Sequence, residues 1–145
     1  MTLREKFIQE VESWVGTPYV IEGCTKGNLG GTNCAIWVLD SLEKSLPIGD
    51  VMHFIWSLPH REVVRLKMDI VVPALKNFCD EISKDELRPG DIQVLKRCKI
   101  PVQPVINVAP DIFIFATPTR GVVRDSLPFK YQNLISHTLR PRMFD

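Results

Sequence analysis

Cys34 is the residue through which this chain could do covalent chemistry. It opens the run Cys34-Ala35-Ile36-Trp37-Val38-Leu39, which has the pattern of a buried helix. A thiol at a helix N-terminus faces N–H groups that lack intrahelical partners and the positive end of the macrodipole. Both lower its pKa toward a nucleophilic thiolate. Attack on a carbonyl also needs a group to take up the proton and return it to the leaving group, ordinarily an imidazole. The chain offers His53, His60 and His137. His53 and His60 flank the apolar cluster 54–58, and His137 lies near the last strand-like stretch. The plainer reading places all three at the surface or rim, and each is a candidate for approaching Cys34. The other cysteines, Cys24, Cys79 and Cys98, are far apart and form no CxxC pair, so neither a metal site nor a cofactor is expected. Cys79 and Cys98 read as small core residues.

The elements that must hold such a site follow from periodicity. Thr2 and Glu5 make a capping box ahead of Leu3, Phe7, Ile8, Val11, Trp14 and Val15, one apolar helix face that Gly16 would stop. Thr17-Pro18-Tyr19 leads into a loop with Gly23, Gly27, Gly30 and Gly31, either a surface turn or a tight wrap around the Cys34 helix. Asn33 would cap that helix, and Pro47 and Gly49 would close it. Arg61 to Ser83 reads as helix, interrupted or kinked near Pro73. The period then changes. Arg88-Pro89-Gly90-Asp91 turns into a strand from Ile92 to Leu95, with further strands over Val102–Val108 and Ile112–Ala116, joined at Ala109-Pro110-Asp111. Gly121 to Val123 and Ser136 to Arg140 supply shorter ones. Helices followed by an antiparallel sheet define an α+β class. The helical part covers about residues 1–86 and the sheet part about 87–145 of one expected domain, 1–145.

Composition narrows the function classes. With 145 residues, 45% apolar and 24% charged, the chain can bury a sizeable core. A formal charge of +1 argues against nucleic acid as the main partner. No apolar run is long enough for a membrane span. Met1 to Glu10 is charged and helical rather than a secretory signal, so synthesis in a cytoplasm is expected.

Three motifs together carry a resemblance. Trp14-Val15-Gly16-Thr17-Pro18-Tyr19, Asn33-Cys34 opening a helix, and Arg88-Pro89-Gly90-Asp91 before a strand are similar to the NlpC-type, papain-like superfamily of cell-wall cysteine peptidases. Within it the similarity is to the short branch found in phage tail and gene-transfer-agent clusters. It covers most of the chain and is weakest over 50–86. Phe113-Ile114-Phe115-Ala116 followed by Gly121-Val122-Val123 echoes the family's Ile-His-Ala and Gly-Val-Val strands. The resemblance implies a nucleophile at Cys34, preceded here by Asn33 where Asp is common, and a neighbouring tyrosine at Tyr19. It also implies a histidine opening the second strand and a polar residue orienting that histidine. Counting back from Gly121, the histidine position falls on or near Gln103 and the orienting position near Phe115. Residues 96–121 contain no histidine.

A glutamine cannot take a proton from a thiol, and a phenylalanine cannot accept a hydrogen bond. The expectation is a catalytically degenerate fold whose Cys34 is inert. By the same resemblance, it would serve as a structural part of a phage-type tail tip beside hub proteins, made in the host cytoplasm and assembled into the virion. Phe54 and Trp56 are candidate interface residues, equally readable as core. Two alternatives stay open: an active endopeptidase or amidase on peptidoglycan peptides with a displaced base, and a peptide- or wall-binding module without turnover.

Overall fold

The computed structural model describes residues 1–20, 24–27, 31–32, 35–49, 71–97 and 99–144. Helix α1 spans Leu3–Glu12, and the Thr2 hydroxyl at its N-cap accepts from the Glu5 N–H at 3.1 Å. This supplies an acceptor for one of the donors that a helix start leaves open. Phe7 and Val11 face inward, and Trp14, just beyond the helix end, is buried with them. Helix α2, Ile36–Ser45, packs on α1 and buries Trp37, Val38, Leu39 and Leu42 completely. Each such side chain contributes about 1.5–3 kcal/mol of transfer free energy.

Helix α2 is described from Ile36, and the expected start at Cys34 under an Asn33 cap lies outside the described residues. The helix expected to reach Ser83 ends at Lys76: α3 is Val71–Lys76, and Cys79–Glu81 forms strand β3 instead. The reason is tertiary. Cys79, Asp80 and Glu81 pair with Pro141, Arg140 and Leu139, so the backbone gains a ladder from a distant strand that local pattern cannot announce.

The glycine-rich connection contains β1 (Cys24–Thr25) and β2 (Gly31–Thr32), a two-residue antiparallel pair. The second half is built of β4 (Ile92–Arg97), β5 (Ile100–Ala109), β6 (Ile112–Thr117), β7 (Gly121–Asp125) and β8 (Ile135–Pro141). Their order is β3-β8-β4-β5-β6-β7, antiparallel throughout, so β4 to β7 form a meander and β8 returns to the free side of β4. The α+β class with N-terminal helices and an antiparallel sheet is what the residue pattern predicts.

The sheet separates two apolar layers because side chains alternate along each strand. Ile92, Val94, Ile106, Ile114, Ala116, Val122 and Leu139 join the buried residues of α1, α2 and α3. Leu95, Val105, Phe115 and Val123 point the other way and pack under Leu127, Tyr131, Leu134 and Ile135. That second cover contains α4, Phe129–Gln132, a single turn between β7 and β8.

Candidate functional site

The site is best built from the three motifs that suggested it. In the turn before β4, Gly90 has φ +95°, and a Cβ there would meet Arg4 and Phe144 at 3.1 Å. Asp91 follows with no solvent exposure. Arg140 grips its carboxylate bidentately, Nε to Oδ1 at 2.9 Å and Nη2 to Oδ2 at 2.7 Å, and the Arg88 N–H donates to Oδ2 at 2.8 Å. Arg4 approaches Oδ1 at 3.5 Å, stacks over Phe144 and also donates to the Pro89 carbonyl. The hydrogen bonds that Arg140 donates to Asp91 push its pKa up from its ordinary value, against a smaller opposing effect of burial. This turn is therefore an ionic clamp joining α1, the start of β4 and β8.

The Gly16-Thr17 segment lies along the outer edge of β7. The Gly16 N–H donates to the Val122 carbonyl and the Val122 N–H to the Thr17 carbonyl, both at 2.9 Å. Gly121 has φ +72°, and a Cβ there would stand 2.2 Å from the Thr17 carbonyl oxygen. Thr17 is fully buried, and its Oγ1 accepts from the Gly27 N–H at 3.0 Å. Tyr19 is half-buried against the helix-side core.

Gln103 is the fourth residue of β5, 2% exposed. It stands opposite Leu95 and on the same face as Val105, in the layer away from α1 and α2. Its Oε1 accepts from Arg97 Nε at 2.5 Å, and its Nε2 donates to the Ala116 carbonyl at 3.1 Å. Arg97 lies with its guanidinium carbon 4.8 Å from the centre of the Tyr131 ring. Phe115 is 2% exposed and packs in that same layer, opposite Val123. The fold thus brings Gln103 and Phe115 to one face of the sheet. The buried side chains of α2 belong to the other face.

Cys34, His53, His60, Phe54 and Trp56 fall outside the described residues. His137 lies in β8 opposite Val94, half-buried, on the face that carries Leu139. Ser136 Oγ donates to the Val94 carbonyl at 3.1 Å and is 2.8 Å from His137 Nδ1. Cys79 is buried in the helix-side core, and burial pushes its thiol pKa up to about 12, which makes it an inert packing group. Among the described residues no three or more His, Cys, Asp or Glu side chains gather as metal ligands.

Sequence reasoning did not find Arg97, Tyr131, Arg4 or Arg140. Arg97 is alternation-compatible with any edge position, and nothing in its spacing links it to Gln103 or Tyr131.

No family model matches the chain, nor does any curated protein sequence. Solved structures do share its fold. The peptidoglycan hydrolase RipB of Mycobacterium tuberculosis superposes with a TM-score of 0.62 at 12% identity, over 99% of this chain and 65% of that one. The resuscitation promoting factor interacting protein RipA gives 0.61 at 16% identity, over 96% of this chain and 62% of that one. A lipoprotein-like NLP/P60 family protein of Staphylococcus aureus gives 0.62 at 16% identity, over 96% of this chain and 41% of that one. The chain thus spans less than two thirds of these proteins, and its fold is that of NLP/P60 peptidoglycan-hydrolase structures.

Proposed function

We propose that this chain is a non-hydrolysing structural component of a phage-type tail tip, built on a peptidoglycan-hydrolase fold and held among hub proteins of the assembled virion. One observation carries the loss of chemistry. Gln103 and Phe115 face the sheet layer away from α2, and the helix-facing residues of β5 and β6, Pro104, Ile106, Ile114 and Ala116, carry no titrating group. A side chain with no titrating group cannot supply the roughly 10²–10⁴ in rate that a positioned base contributes. On this reading Cys34 is no nucleophile.

A second reading keeps the peptidase activity, with the base displaced to His137. It is favoured by the place of His137, half-buried opposite Val94 on the helix-side face of the sheet. Murein zymography separates the two. The structural reading expects no clearing, slow labelling of Cys34 by iodoacetamide at neutral pH, and co-purification with a tail hub protein. Clearing that disappears in both Cys34→Ala and His137→Ala would establish the second reading instead. Binding to purified muropeptides without turnover would mark a wall-binding module.

A further inference from the structure

The β4–β5 hairpin tip and α4 meet at one corner of the sheet. Lys96 and Lys99 are exposed at the tip, where Lys99 takes a left-handed turn conformation with φ +70°. The Lys96 N–H donates to the Leu134 carbonyl at 2.8 Å, which holds the tip beside the α4 segment. On that segment Lys130 Nζ stands 5.3 Å from the centre of the Tyr131 ring, the same ring that Arg97 covers at 4.8 Å. Phe129, immediately before Lys130, is 79% exposed.

Two features set this corner apart. Lys96, Arg97, Lys99 and Lys130 form no ion pair with a carboxylate among the described residues, although most other arginines and several lysines of the chain do. Asp125, the acidic residue nearest to α4 in the chain, is paired with Arg120 at 3.5 Å. The corner also presents a bare phenyl ring among the cations. An acidic peptide in solution would satisfy the cations but would leave Phe129 in water. A bilayer interface takes both, because its headgroups carry phosphate and its acyl boundary accepts an aromatic ring. We propose that Arg97, Lys99, Lys130 and Phe129 form a docking surface for an anionic phospholipid membrane. The chain lies on the membrane surface there.

Co-sedimentation of the whole chain with vesicles tests this. Binding is expected to vesicles in which phosphatidylglycerol replaces a third of the phosphatidylcholine, and not to phosphatidylcholine alone. Lys99→Gln and Lys130→Gln are each expected to lower the partition coefficient about fivefold, and about 25-fold together, the effect of about 1 kcal/mol per cation near a charged surface. Phe129→Ala should lower it further, and salt well above physiological strength should release the protein. These side chains are exposed, so unchanged circular dichroism and Tm serve as the folding control. No binding, equal binding to neutral vesicles, or binding indifferent to the double variant would each overturn the proposal. Retention of poly-glutamate with the anionic vesicles ignored would overturn it too, and would assign the corner to an acidic polymer.

Discussion

Arg97 Nε sits 2.5 Å from Gln103 Oε1, and the same guanidinium lies over Tyr131. One cation therefore fastens the middle of the sheet to the α4 segment that covers it. The amide is held at both ends, which makes Gln103 part of the architecture. Gln103→Leu would leave the buried Ala116 carbonyl without its donor and free Arg97 to turn toward water. A loss of about 2 kcal/mol in urea unfolding is expected. Gln103→His should still leave a murein zymogram blank, because the ring would face the layer away from α2.

The Asp91 clamp predicts a larger effect. Asp91 has no solvent exposure and is bound by Arg140, with Arg4 close by. Asp91→Asn removes the charge that both guanidinium groups face. Breaking a buried pair by deleting one partner costs about 3–5 kcal/mol, and that range is expected here from denaturant titration. Loss of the clamp should also speed amide exchange in α1, which Arg4 ties to this turn.

Gly121 predicts a steric effect. It has φ +72°, and a Cβ would stand 2.2 Å from the Thr17 carbonyl oxygen. Gly121→Ala must push the Gly16-Thr17 segment off the edge of β7 and break its two bonds to Val122. The expected cost is about 1–3 kcal/mol for each buried group left unpaired. Faster exchange of the Val122 amide, with β4 and β8 unaffected, would locate the damage.

Cys79 predicts a pH dependence. Burial raises its pKa from 9.0 to about 12, so the fold holds the neutral thiol. The unfolded thiol loses its proton first as pH rises, so the folded state binds more protons between about pH 9 and 12. The stabilisation is fully present below pH 9 and declines across that window, by up to about 1.4 kcal/mol per pH unit. Cys79→Ala should flatten this part of the stability profile while lowering stability at neutral pH.

Much of the fold is legible in the chain itself. Thr2 and Glu5 announce the start of α1, the alternation through Ile106 and Ile114 announces the meander, and Ala109-Pro110-Asp111 announces its hairpin, where Asp111 takes φ +59°. Each of these is a local pattern whose physical cause lies within a few residues. The candidate site was legible only as residue types at expected positions. That Gln103 cannot act as a base follows from its chemistry alone.

Other contacts were settled by pairings between residues far apart in the chain. Asp91 meets Arg140 from 49 residues away, and Arg97 meets Tyr131 across the whole β5–β7 meander. The same holds for β3, which local pattern reads as helix and which becomes a strand because β8 supplies its ladder. Composition and periodicity determined which segments could be helix or strand and which side chains could react. Only tertiary structure decided which of them face each other, because a hydrogen bond or ion pair between distant residues leaves no trace in the spacing of either.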